Sequence, residues 1–278
     1  ISELKKNPNY KIYGCDLKVK KNKQFISADI RDKNIFKKIP KKIDAIIHLA
    51  AISRDKDCSD DLSNCYLTNV IGTMNIIEAA KILNIKKIIF ASTEWVYHNQ
   101  LAKFGADEKS TLSIEKLDSI YAKSKLLGEY FLRDFYNKFK IDIAILRFGI
   151  IYGERDNNWS AVETLFNSIK NNNIVKVGSL KTSRKFIHVE DICHGIIKSL
   201  KLKKFNIINL QGKSLVSLKE IIKSSEKILK KKIKVIEMDP YNPSIRNIKS
   251  NSSFKKISFR PKIDINFGLI RLKKFFNF

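Results

Sequence analysis

The chain has 278 residues, 44% of them hydrophobic, which suffices to bury a large core as one α/β domain or as a domain with a smaller appendage, and excludes disorder as the default. The formal net charge of +26 suggests a polyanion partner, but only nine of the 54 basic residues are Arg and the lysines are spread over the whole chain among many Asn and Ile; a solvated surface is the favoured reading, a polyanion partner the other, and no specific nucleic-acid recognition is expected. No apolar run reaches the ~18 residues a membrane helix needs, and the N-terminus lacks the sections of a secretory signal, so no membrane partner and a soluble cytoplasmic protein are expected.

In chain order, "ISELKK" reads as a helix, "KIYGCD" as a strand ending in Asp16, "QFISAD" as a strand ending at Asp29 and Ile30, and "DAIIHLAA" as a strand ending in Leu49, Ala50 and Ala51. A helix is predicted near Asn64 to Leu83, a strand at "KKIIFAS", a helix near Asp118 to Phe139 and a strand at "IDIAILRFG". Strands apolar on both faces and separated by amphipathic helices indicate a parallel sheet covered on both sides, a doubly wound α/β fold. Beyond Gly149 the pattern loosens into a helix-rich lobe, with helices near Trp159 to Lys170, Glu190 to Lys201 and Ser217 to Lys230. Residues 1–150 are thus expected to form the main domain and residues 151–278 mainly a smaller lobe, with a return to the main sheet within 184–210, where "RKFIHV" is a candidate strand. The four cysteines are dispersed without a CxxC pair, so reduced structural thiols and no metal site are expected.

Open parallel sheets bind ligands beyond the carboxyl ends of their strands. There Asp16 can accept from an adenosine ribose, and Asp29 with Ile30 suits an adenine amino group and face. Leu49, Ala50 and Ala51 are small or apolar enough to let a cofactor lie against the backbone. Each alone reads equally as a turn or cap residue; the order of all of them points to a dinucleotide.

Tyr121 and Lys125, four apart on one helix face, can act together, the ammonium favouring an ionised phenol. Thr93, ending the preceding strand, adds a hydroxyl able to share a proton with Tyr121. That set suits removal of a proton from an alcohol as hydride leaves its carbon. The alternative is a pair that only supports the helix. His48 and His188 read as satisfied strand histidines.

The segments "DIRD", "IIHLAA", "YLTNVIGTMNIIEAAKILNIKKIIFASTEWVY", "YAKSKLLGE", "LRFGIIYGERD", "RKFIHVEDI" and the closing "RNIKSNSSFKKISFRPKIDINFGL" together resemble the extended short-chain dehydrogenase/reductases, the NAD-dependent epimerase/dehydratase family of nucleotide-sugar enzymes. The resemblance implies NAD as cofactor, a nucleotide sugar as substrate and a Rossmann-like fold. It implies Thr93, Tyr121 and Lys125 as the catalytic hydroxyl, acid/base and supporting lysine. Asp16, Asp29, Ile30, Leu49, Ala50, Ala51, Asn69 and Ser92 fall at or beside positions lining or supporting the NAD site, and Arg184 and Arg246 match arginines that contact the substrate diphosphate.

Three departures shape the expectation. Asp16 stands too early for a preceding strand and glycine-rich phosphate loop, so both are expected upstream of Ile1 in a longer reading frame, with weaker NAD binding by the chain without them. Ile150 stands where many relatives place an asparagine near the substrate. A single carboxylate, Glu94, is followed by Trp95, which weakens the case for dehydration; both are substrate-side candidates, with a loop carboxylate and an apolar plug as the other readings. The function expected is an NAD-dependent epimerase acting through a transient keto sugar; the alternative is a reductase or dehydrogenase using the same residues, with a dehydratase less favoured, and a non-catalytic nucleotide-binding or sensing module is the reading from another class. A homodimer is the expected assembly, and Asp16 is expected to favour NAD over NADP.

Overall fold

The structure, a computed structural model, describes residues 1–19, 24–157 and 159–277, with residue 100 described by its backbone alone. Its elements run α1 (Ser2–Lys5), β1 (Gly14–Asp16), β2 (Phe25–Ser27), β3 (Ala45–His48), α2 (Asp55–Asp60), α3 (Leu62–Tyr66), a π-helical turn (Leu67–Ile71), α4 (Gly72–Ile82), β4 (Lys87–Thr93), α5 (Asn99–Phe104), α6 (Ile120–Phe139), β5 (Asp142–Phe148) and β6 (Ile151–Tyr152). They continue with α7 (Ala161–Asn171), β7 (Ile174–Val177), β8 (Ser183–Arg184), β9 (Ile187–His188), α8 (Val189–Ser199), β10 (Phe205–Leu210), β11 (Val216–Ser217), α9 (Leu218–Leu229), β12 (Lys234–Glu237), α10 (Asn251–Ile257) and α11 (Ile265–Phe275).

The chain divides into two compact units. One comprises Ile1–His98, Thr111–Arg147 and Ile196–Ile208; the other comprises Asn99–Ser110, Phe148–Gly195 and Asn209–Phe278. The first is the expected α/β arrangement, with a parallel central sheet in the order β10-β5-β4-β3 and a parallel β1-β2 pair. All seven residues of β4 are buried, as a strand covered on both faces requires. Ile88 and Phe90 of β4 meet Ile77 and Ala80 of α4, Leu132 and Phe135 of α6, and Ile143 and Ile145 of β5 in one apolar cluster. Each such Ile or Phe contributes roughly 1.5–3 kcal/mol by leaving water.

In the second unit β7 pairs in parallel with β12, and α7, α9 and α11 close over a cluster that includes Phe166, Ile169, Ile221 and Leu272. Ser160 with Glu163 and Ser217 with Glu220 form capping boxes that start α7 and α9. The "RKFIHV" stretch is split into two short strands: β8 pairs with β11, and β9 pairs with β6. The strand added to the central sheet beside β5 is β10.

One expectation is overturned. Cys58 and Cys65 are joined by a disulfide, leaving Cys15 and Cys193 free. The chain breaks at Asp61 between α2 and α3, and this corner brings the two Cα atoms to 4.9 Å, a proximity that a spacing of seven does not announce. No helix among the described residues is long and apolar enough to cross a membrane, and no metal-ligating cluster occurs among them.

The helix α6 lies close on β4 because Gly128 presents no side chain: a Cβ there would stand 2.8 Å from Cζ of Phe90. Gly128→Ala is therefore expected to destabilise the protein by about 1–3 kcal/mol through overpacking, although alanine is the better helix former. Urea unfolding measures this; a gain in stability would contradict the close packing.

Candidate active site

Thr93, Tyr121 and Lys125 stand where β4 ends and α6 begins. Ser119 caps α6 by accepting from the Ala122 amide at 3.0 Å, and Asp55 reinforces the start: its Oδ1 accepts from the Ser119 hydroxyl at 2.7 Å and from the Tyr121 amide at 3.1 Å. A carboxylate at a helix N-terminus also complements the helix dipole. Tyr121 is thus fixed through its backbone as well as its ring.

The Tyr121 phenol lies close enough to Thr93 for that hydroxyl to favour its ionised form. Thr93 Oγ1 in turn accepts from the Trp95 amide at 3.2 Å, which starts a short 3-10 turn over Glu94–Val96. With Oγ1 accepting there, the hydroxyl proton of Thr93 is the group that can turn toward the Tyr121 oxygen. Burial pushes the Tyr121 phenol up to about 12, while the Thr93 hydroxyl pulls it down. One turn on, Lys125 is 2% exposed, with its ammonium over the Phe90 ring at 4.7 Å from the centroid. Burial pulls it down to about 7, opposed by Glu129. No hydrogen-bond acceptor among the described residues meets this ammonium. In the protein alone, burial therefore sets the charge of both groups more strongly than their mutual attraction does.

Behind the pair, Ser92 donates to Oε1 of Glu129, so its hydroxyl is turned into the protein. Asn69, 1% exposed, takes the amide of Ile52 at 2.8 Å and gives to the Ile52 carbonyl and to Ser124 Oγ, both at 2.9 Å. It ties the segment after β3 to α6 at the residue beside Lys125. His48 is neutral, pulled down to about 3 by burial and by Lys125. Because the Thr73 hydroxyl donates to the Asn69 carbonyl at 2.7 Å, the His48 Nε2 at 3.0 Å carries the proton.

At the strand ends, Asp16, Leu49 and Ala50 are exposed and Ala51 is half-buried. Asp16 Oδ1 accepts from the Lys18 amide at 3.1 Å. Asp29 grips Arg31, with Oδ2 at 2.8 Å from Nε and 2.6 Å from Nη2, and the Arg31 guanidinium holds its carboxyl below the usual range. Ile30 is buried against Gly72, where a Cβ would lie 2.6 Å from Ile30 Cδ1. Glu94 is fully buried and Trp95 half-buried.

In the second unit, Ile150 packs against the apolar cluster. Arg184 and Arg246 lie on neighbouring backbone: Ser183 and Ile245 form a bridge, and the Arg246 amide donates to the Ser183 carbonyl at 3.1 Å. Arg184 donates to the carbonyl and hydroxyl of Ser244, and Arg246 to Asn99 Oδ1 at 3.0 Å. His188, buried, accepts the Glu190 amide on Nδ1 and has Nε2 3.1 Å from Glu154.

Sequence reasoning missed Asp55, Glu129, Arg147 and Arg31. The spacing of Glu129, eight residues after Tyr121 and four after Lys125, was the available signal. Asp55 gave none, since its partner lies 66 residues away.

The family model described as "NAD dependent epimerase/dehydratase family" matches residues 1–210. A UDP-glucuronate 4-epimerase of Thermodesulfobacterium geofontis is 29% identical over 275 residues, covering 98% of this chain and 80% of that one. A putative UDP-glucose 4-epimerase of Methanocaldococcus jannaschii is 26% identical over 255 residues, covering 90% and 82%. The crystal structure of a UDP-glucose 4-epimerase with UDP-glucose from Thermotoga maritima superposes with a TM-score of 0.87 at 19% identity, covering 99% of this chain and 93% of that chain, a likeness of fold.

The low proton affinity of Lys125 has a sign. Unfolded, a lysine titrates near ~10.4; folded, Lys125 titrates at about 7. Between these values the unfolded chain holds a proton that the folded chain has released, so this residue makes stability rise with pH over that window. Lys125→Met is expected to abolish that rise, measured as the difference in urea unfolding between variant and wild type from pH 6 to 9, roughly the span in which the two states differ. Parallel curves would show Lys125 to be solvated.

Proposed function

The chain belongs to the NAD-dependent epimerase/dehydratase family, and from that premise we propose that it is a cytoplasmic 4-epimerase of a UDP-linked sugar that works through a transient keto sugar. The observation carrying the proposal is the placement of Tyr121 at the start of α6, next to the Thr93 hydroxyl at the end of β4, with the buried Lys125 one turn further along the same helix face. The UDP-sugar epimerases among its relatives support the substrate class. In this reading residues 1–150 chiefly hold NAD, and residues 151–278 chiefly hold the sugar nucleotide, with Arg184 and Arg246 toward its diphosphate.

The residues present fit a dinucleotide. Lys125 brings a buried ammonium whose donors meet no acceptor among the described residues, suited to ribose hydroxyls. Asp16 brings an exposed carboxylate, and Leu49, Ala50 and Ala51 follow a buried strand end without a bulky polar group. Asn69 and Ser92 support from behind; Asp29, engaged with Arg31, and Ile30, engaged with Gly72, shape the neighbouring edge. NAD, when bound, accepts a hydride from the sugar carbon and returns it.

Tyr121 takes the proton of the sugar hydroxyl as its carbon is oxidised and gives it back after the sugar has turned over. Thr93 steadies the oxygen and the Tyr121 phenol with its hydroxyl. Lys125, when charged, lowers the cost of the Tyr121 phenolate. Thr93 and Lys125 are buried and Tyr121 is half-buried, so the set faces little water on the protein side. Glu94 and Trp95 flank the sugar in this reading; with one carboxylate followed by an indole, loss of water is not favoured.

Tyr121→Phe keeps the ring and removes the ionisable group. It is expected to fold and bind NAD while losing at least a hundredfold in turnover, on the order of what an acid/base residue contributes. Wild-type protein given UDP-, GDP- and dTDP-sugars is expected to convert a UDP-sugar to its C4 epimer. Stoichiometric NADH would favour a dehydrogenase, loss of water a dehydratase, and undiminished turnover by Tyr121→Phe would remove the mechanism.

We also propose a homodimer. Leu67, Ile71, Met74 and Ile82 form an exposed stripe along the π-turn and α4, and Tyr130 is exposed on neighbouring α6. Arginine at both Ile71 and Met74 is expected to convert a dimer to a monomer in sedimentation analysis; an unchanged assembly would place any interface elsewhere.

A further inference from the structure

The epimerase reading uses Tyr121, Lys125 and Thr93 but leaves unexplained the charged pair buried behind them. Glu129 is 5% exposed and Arg147 of β5 is 3% exposed. The contact is bidentate: Arg147 Nε donates to Oε1 at 3.0 Å and Nη2 to Oε2 at 2.6 Å. Ser92 also donates to Oε1, so both carboxylate oxygens are fixed. Arg147 Nη1 donates to the Tyr97 hydroxyl at 2.8 Å, and the guanidinium lies over the Tyr97 ring. Such a pair is a weak device for stability, because an apolar pair of similar volume commonly does as well. Its placement suggests another use.

Tyr121, Lys125 and Glu129 stand at i, i+4 and i+8 of α6, about 6 Å apart along one face. Consecutive residues of β4 face the two outer members: Thr93 acts on the Tyr121 phenol, and Ser92 donates to Glu129. Lys125 lies between these ties, with Phe90 beneath it. The titratable groups that bear on it are His48 from β3, which is neutral, and Glu129 from its own helix, on which Tyr121 stands one turn earlier; Arg147 from β5 and Tyr97 after β4 reach it only through Glu129. Of the Glu129–Arg147 pair, the negative end bears on Lys125.

We propose that Glu129 is a positioning residue for the proposed reaction: held by Arg147 and Ser92, its carboxylate keeps Lys125 charged, and through that charge eases ionisation of Tyr121. This rests on the epimerase reading for its purpose, but not for its physics. Burial already brings Lys125 down to about 7, close to working pH, so a modest loss of negative charge nearby would leave it neutral when needed.

The test follows Lys125 directly, by carbon NMR titration of protein carrying labelled lysine side chains, with the Lys125 signal identified by its loss in Lys125→Met. No cofactor or substrate is needed. Two variants remove the carboxylate: Glu129→Gln, which leaves Arg147 unpaired in charge, and Glu129→Leu with Arg147→Met, which removes both charges of the pair and so is expected to fold even where the first does not. In either folded variant Lys125 is expected to titrate about one pH unit lower than in wild type, the low end of what an adjacent opposite charge supplies. The alkaline limb of the turnover profile is expected to move down with it, while Glu129→Asp restores both. A Lys125 titration unmoved in a folded variant overturns the proposal, and a loss of turnover without movement of the limb leaves Glu129 a structural residue only. Failure of the epimerase reading shows instead in Tyr121→Phe, whose outcome leaves the Lys125 titration as it is.

Discussion

The first unit depends on how α6 is held against β4. A helix carrying Tyr121, Lys125 and Glu129 on one face can be buried there only if its charges find partners and its backbone can come near. Gly128 supplies the nearness, opposite Phe90. Arg147 supplies the counter-charge, and Ser92 and Tyr97 take up hydrogen-bonding capacity that would otherwise be buried unmet. Desolvating each ion costs several kcal/mol, and the bidentate geometry with its added hydrogen bonds offsets that cost. What results is a polar seam inside an apolar strand–helix contact, where a shift of α6 would break charge-assisted bonds as well as packing.

The same contact links local sequence to chemistry. Asp55 and Ser119 fix the first turn of α6, and Asn69 fixes its next turn through Ser124, whose hydroxyl donates to the Tyr121 carbonyl at 2.7 Å. Asn69 also binds both backbone groups of Ile52, so the segment after β3 and the start of α6 share one side chain. A buried amide making this many bonds is costly to replace, since any residue lacking one of them strands its partners. The candidate catalytic groups are therefore held by helix and strand ends.

Periodicity made the parallel sheet readable: β4 and β5 are continuous apolar runs, and α6 has a clear amphipathic face, so their places were within about two residues of the structure. Tyr121, Lys125 and Thr93 were readable because spacing on a helix and the end of a strand are local properties. Glu129 and Arg147 were not, because a charged residue on a helix or strand usually reads as solvent-facing, and only the meeting of α6 with β5 shows that these two neutralise each other. The Cys58–Cys65 bond was hidden by a helix break at Asp61 that composition does not mark. "RKFIHV" looked like one strand, yet Lys185 and Phe186 separate two short ones with different partners. Asp29 and Ile30 illustrate a further limit: the strand end was found, but Arg31 and Gly72, which engage their side chains, come from context that the strand pattern does not contain.

Burial leaves Tyr121 reluctant to ionise and Lys125 reluctant to stay charged, so the protein alone does not hold the pair in its ionised form. Two buried groups that each resist charge can still ionise together, because a phenolate beside an ammonium restores to each the partner that water would have been. The balance then rests on whatever else favours the ammonium. Within the protein that is the Glu129 carboxylate; from outside it is any hydroxyl or carbonyl oxygen that accepts from the donors of Lys125. An acceptor bound at Lys125 thus raises its proton affinity and, through its charge, lowers that of Tyr121. In the proposed reaction this couples occupancy of the ribose position to readiness of the base: the acid/base group becomes competent when the molecule that will take the hydride is in place, and remains a neutral phenol when it is not.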